Sequence, residues 1–171
     1  TITHRLLEVR QVRELSQTFK EGEPDFREFA RRQLLQLGVP KKELSRAISI
    51  VLRAIKNTFS SNRGAWIFSS LHDDVEVELA LSYVGSQGVE RIIVDRTFVD
   101  SAGVRWIIDF KTGDHSGAGL VEYLDSEQRR YEPQLERYAK VMSEIFPQPI
   151  MLGLYFPLLS EWREWSPLLH K

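Results

Sequence analysis

At Asp74 the spacing of apolar residues changes from a helical period to a period of two, and this change decides what the chain can fold into. Before it, Phe26, Phe29, Ala30, Leu34 and Leu37 recur at three and four. The same holds for Leu44, Ala47, Ile48, Val51, Leu52 and Ile55. Such spacing predicts helices over about 26–37 and 41–59. Gly38 and Pro40 punctuate the gap. Leu6, Leu7, Val12 and Leu15 predict a further helix over about 4–19. Residues 60–64, SSNRG, are expected to break the pattern.

After Asp74, Val75, Val77, Leu79 and Leu81 alternate with Glu76, Glu78, Ala80 and Ser82, the pattern of a half-buried strand. Further strands are expected over 91–99 and 104–111, with Asp100 to Gly103 as a hairpin loop between them. A glycine-rich polar segment (112–119), a helix over about 125–145 and an apolar strand (150–156) complete the order. Helices, three strands, a helix and a strand, with no repeat or linker, predict one α/β domain. It comprises a helical segment (1–60), a core (65–156) and a tail (157–171).

Several functional classes fall away on composition. The chain has no cysteine, which excludes disulfides, thiolate metal sites and cysteine nucleophiles within it. No apolar run reaches the ~20 residues of a membrane-spanning helix. No membrane partner is therefore expected, and the cysteine content suits the cytoplasm. A net charge of −1 means that an anionic partner must be met by local basic patches. The phosphate-loop pattern G-x-x-x-x-G-K-[ST] is absent.

Charged residues end two of the apolar strands. Asp95 follows Ile92, Ile93 and Val94 in RIIVDRTF, and Asp109 follows Trp106, Ile107 and Ile108 in WIIDFKTG. The short loop between the strands implies antiparallel pairing. Asp109 and Lys111 share a face, because strand side chains alternate. Carboxylates on neighbouring strands suit a hard divalent cation, which needs oxygen ligands. A lysine beside them can contact a phosphate. The alternative is a pair of solvated strand ends.

An aspartate on one strand followed by D-x-K at the end of the next resembles the PD-(D/E)XK nuclease superfamily, most closely its RecB-type nuclease domains. IIDFKTG matches the D-Y-K-T/S segment of that branch with Phe110 in place of tyrosine. TITHRLLE fits G-x-x-x-H-x-x-L/E from His4 onward, without its glycine. YEPQLERY supplies the Y-x-x-Q-L-x-x-Y motif through Tyr131, Gln134, Leu135 and Tyr138. The sequence departs from the family at Ile92, where a glycine is common, and at Pro133 inside the last motif. Spacings of three and four set Tyr131, Gln134 and Tyr138 on one helical face; if Pro133 opens a helix, Tyr131 falls off that face.

The resemblance implies a restriction-endonuclease-like core, with a mixed central sheet flanked by helices. It also implies Mg²⁺ (Mn²⁺ as a substitute) held by His4, Asp95, Asp109 and the Phe110 carbonyl. Lys111, Gln134 and Tyr138 would act beside the metal. Glu76 or Glu78 is a further acidic candidate. The implied activity is a DNA exonuclease, part of a longer ATP-dependent helicase–nuclease of recombination and repair. Its partners would be single-stranded or duplex DNA ends, the helicase domains and possible partner subunits. A silent DNA-binding or helicase-bracing domain is the alternative, and a stand-alone nuclease a third.

Other features are given bland readings. His72 and His115 are bystanders in polar loops. Arg27, Arg31, Arg32, Lys41, Lys42, Arg46, Arg53, Lys56, Arg129 and Arg130 are solvated helix faces or a DNA-backbone surface. Trp162 and Trp165 belong to late packing, an interface or base stacking.

Overall fold

The computed structural model describes residues 23–168, an α/β chain with five strands in one mixed sheet. Those residues fall into two compact units, 23–68 with 112–114 and 156–160, and 69–111 with 115–155 and 161–168.

The first unit holds α1 (Glu23–Gln36), α2 (Lys41–Ser60) and α3 (Asn62–Ile67). Phe26, Ala30 and Leu34 of α1 are buried, as are Leu44, Ile48, Val51, Leu52 and Ile55 of α2, so each helix buries most of its predicted stripe; Phe29 and Ala47 are half-buried and Leu37 is exposed. Gly38, at φ +80°, ends α1. Its N–H donates to the Leu35 carbonyl while that of Val39 donates to Leu34, a Schellman ending that only glycine adopts readily. The expected break at 60–64 is corrected. Ser61 Oγ accepts the Gly64 N–H and caps a short third helix instead.

The second unit carries β1 (Asp73–Gly85), β2 (Gly88–Val99), β3 (Arg105–Phe110), α4 (Leu120–Ser143), β4 (Ile150–Phe156, as far as Tyr155) and β5 (Glu161–Trp165). The sheet order is β1-β2-β3-β4-β5. The first two pairings are antiparallel and β3–β4 is parallel. All six residues of β3 are buried, and each of its isoleucines contributes about 1.5–3 kcal/mol by burial.

Two elements of the second unit also differ from expectation. β5 lies in the predicted tail, where its Glu-Trp-Arg-Glu-Trp sequence lacks an apolar run. Helix α4 begins before the expected position 125 and continues through Pro133.

The β2–β3 loop fixes the register. Asp100 Oδ1 accepts the N–H groups of Ala102 at 2.9 Å and Val104 at 3.0 Å. Its Oδ2 accepts the Trp106 indole N–H at 2.8 Å. Burial works to raise the Asp100 pKa, but these three donors and the His72 charge outweigh it and hold the carboxyl below its ordinary value. Arg96 then pairs with Ile108 and Thr97 with Ile107.

Candidate functional site

Continuing that register by one step sets Asp95 across from Asp109, and directly opposed residues of an antiparallel pair share a face. Asp95 Oδ2 accepts the Phe110 backbone N–H at 2.9 Å, tying the first acidic strand to the second. Relative exposures of 9% for Asp95 and 5% for Asp109 rule out solvated strand ends. Buried carboxylates are costly unless donors or cations surround them.

Donors and a cation do surround them. The Lys111 ammonium lies 2.6 Å from Asp109 Oδ2. The Gln134 amide donates to Asp109 Oδ1 at 3.3 Å and to the Tyr138 hydroxyl at 2.9 Å. Helix α4 thus reaches the carboxylate through Gln134, which Tyr138 braces from four residues on, on the same helical face. Burial raises the Tyr138 pKa, and the negative charges of Asp109 and Asp95 add to that effect against the Gln134 hydrogen bond. The phenol therefore stays protonated and available as a donor.

Tyr131 joins the cluster. Because α4 is continuous across Pro133, Tyr131 keeps its spacing of three before Gln134. The Lys111 nitrogen sits 3.4 Å from its ring centroid, a cation–π contact. Pro133 lies inside the helix rather than opening it, so the condition that would have taken Tyr131 off this face is not met. The spacing within YEPQLERY was the signal, since a proline removes one backbone hydrogen bond without forcing a helix to end.

Of the two acidic alternatives on β1, Glu78 stands nearer in register. Val77 pairs with Arg96 and Leu79 with Val94, which brackets Asp95, whereas Glu76 pairs with Thr97. Both glutamates are exposed. Glu78 also adopts φ +52°, a left-handed backbone that non-glycine residues rarely take.

The remaining candidates lie elsewhere. His72 stacks on Phe98 with ring centroids 4.0 Å apart, and His115 stacks on Tyr123 at 4.7 Å. Trp162 packs on Trp106 and Tyr155, at 6.0 and 6.3 Å. The Trp165 indole donates to Glu136 Oε1 at 3.1 Å. His4 lies outside the described residues.

Two carboxylates from adjacent strands match the oxygen preference of Mg²⁺ or Mn²⁺. Among the described residues no third histidine or acidic side chain joins them in a metal-binding group. A coordination shell built on these two acids would need further ligands, for which the resemblance names the Phe110 carbonyl and His4. No protein-family model matches the chain, and no curated protein matches it.

Proposed function

We propose that the chain is a metal-dependent DNA nuclease domain with a restriction-endonuclease-like core. In this reading it is the exonuclease part of a cytoplasmic ATP-dependent helicase–nuclease of recombination and repair, and helicase domains are its partners. The observation that supports the reading is the convergence of Asp95, Asp109, Lys111, Gln134 and Tyr138 in one partly buried cluster. These are the residues that the resemblance marks, and they come from two strands and a helix.

Asp95 and Asp109 would hold Mg²⁺, with the Phe110 carbonyl and His4 as further ligands. The ion would supply Lewis-acid stabilisation of the phosphate and a water acidified for attack. The side chains carry the rest. Lys111 presents fixed positive charge where the phosphodiester becomes more anionic. Tyr131 covers one side of that ammonium, and Gln134 holds Asp109 in orientation. Tyr138, kept neutral, orients Gln134 in turn. Hydrolysis exchanges the bond from phosphorus to the 3′ oxygen for a bond to water and leaves a 5′ phosphate.

The second reading is a catalytically silent DNA-binding or helicase-bracing domain. It is favoured by the ion pair itself, since Lys111 already neutralises Asp109. Incubation with linear single- and double-stranded DNA separates the two. The nuclease reading expects cleavage with Mg²⁺ or Mn²⁺ and none with chelator. It expects loss in Asp109→Ala and a roughly 10²–10³-fold loss in Lys111→Ala. Metal-independent cleavage, or unchanged cleavage in both variants, contradicts it.

A further inference from the structure

Helix α2 buries one stripe and exposes another that is basic along its whole length. Lys42, Arg46, Ser49, Arg53 and Lys56 recur at four, three, four and three, and all are exposed. At 3.6 residues per turn they occupy a sector of about 80° and a length of about 21 Å. Neighbours in the row stand about 5–6 Å apart. The helix as a whole carries five cations against Glu43, in a chain of net charge −1.

An ordinary solvated helix face interleaves charges of opposite sign. Helix α1 does so, with Glu28 Oε1 at 3.5 Å from Arg31 and 3.9 Å from Arg32. On α2 the like charges Lys42 and Arg46, and Arg53 and Lys56, sit at four and three, where each pair destabilises a helix by about 0.2–0.5 kcal/mol. Lys41 and Lys42 also lie at the positive end of the helix dipole. None of the ion pairs among the described residues engages Lys42, Arg46 or Lys56.

Arg53 is held differently. Its guanidinium meets Asp114 Oδ2 at 2.5 Å, and the two residues line a depression of about 330 Å³ with Arg46, Ser49 and Ile50. Ser49 is the short neutral side chain in the basic row, and its hydroxyl donates to the Ser45 carbonyl. The depression is therefore walled by guanidinium groups and large enough for a phosphate.

We propose that this face of α2 is a docking surface for the DNA phosphate backbone, separate in sequence and chemistry from the aspartate–lysine cluster. The identity of the polyanion rests on the nuclease reading; the surface does not. Regularly spaced cations without base-reading partners point to sequence-independent contacts, which position a strand. Asp114 competes with phosphate for Arg53 and moderates the affinity.

Fluorescence anisotropy of labelled single- and double-stranded DNA, in chelator and between 50 and 200 mM salt, tests this. For Lys42→Gln/Arg46→Gln/Lys56→Gln, the slope of log K against log salt should fall by roughly 2–3. Asp114→Asn should tighten binding by releasing Arg53, the opposite change, which a folding defect would not produce. Absence of binding by the parent protein, an unchanged slope in the triple variant, or a slope change seen with heparin but not DNA overturns the proposal. A protein with the expected slopes but no metal-dependent cleavage would sink the nuclease reading and leave the surface standing.

Discussion

The Lys111 ammonium pairs with Asp109 Oδ2 at 2.6 Å, so the two charges at the end of β3 neutralise each other in a largely buried setting. Side-chain exposures of 15% and 7% leave water limited access to the pair. Removing one partner of such a pair leaves a buried charge uncompensated.

Lys111→Met should therefore destabilise the protein by roughly 3 kcal/mol. The Asp109→Asn/Lys111→Met double variant should recover part of that loss, because the stranded carboxylate is gone. Urea unfolding of the parent, both single variants and the double variant measures the coupling. Strictly additive losses would show that the pair contributes nothing.

Tyr138 gives stability an alkaline limb. Its pKa is raised by burial and by the Asp109 and Asp95 charges, so the folded state holds the phenolic proton more tightly than the unfolded chain. The stabilisation is complete below the ordinary value of 10.0 and disappears as pH climbs through the higher folded value. Chemical unfolding between pH 8 and about 11 should show a steeper fall for the parent than for Tyr138→Phe. Parallel curves would contradict the placement of Tyr138 beside the two acids.

Asp100 acts at the other end of the scale. Its depressed pKa means that its contribution is present above the ordinary value of 3.8 and lost as pH drops through the lower folded value. The stability advantage of the parent over Asp100→Asn should accordingly be present near neutrality and shrink in acid. The same variant loosens the loop that sets Asp95 across from Asp109, so cleavage should drop although residue 100 touches no substrate. Full activity in this variant would mean that the loop does not govern the register.

Gly153 on β4 accommodates β5. A Cβ at this position would collide with the Trp162 indole. Gly153→Ala should cost about 1–3 kcal/mol through overpacking and lower Tm by several degrees. Adding Trp162→Leu should relieve part of that loss. A neutral Gly153→Ala would place Trp162 elsewhere.

Strand β1 was legible from its period of two and β2 to β4 from short apolar runs bounded by turn residues, and Asp95 and Asp109 were legible because an acid ends an apolar run. Their burial was not legible. It follows from α4 covering one face of β3, a tertiary fact that no local pattern encodes. β5 escaped because Trp162 and Trp165 are spaced among charges and depend on Gly153 and Glu136 for their partners. Helix α3 escaped because Asn62, Arg63 and Gly64 read as a loop, whereas the Ser61 cap supplies the start. Tyr131 was within reach of sequence spacing, but its contact with Lys111 needed the helix to pass Pro133 unbroken.

The decisive measurement is the anomalous electron density of a crystal soaked in Mn²⁺. The account predicts a peak between the carboxylates of Asp95 and Asp109, at coordination distance from both, with Lys111 turned from Asp109 towards the phosphate position. Those two acids directed apart with no manganese between them, or manganese bound only at other acidic groups, would contradict it.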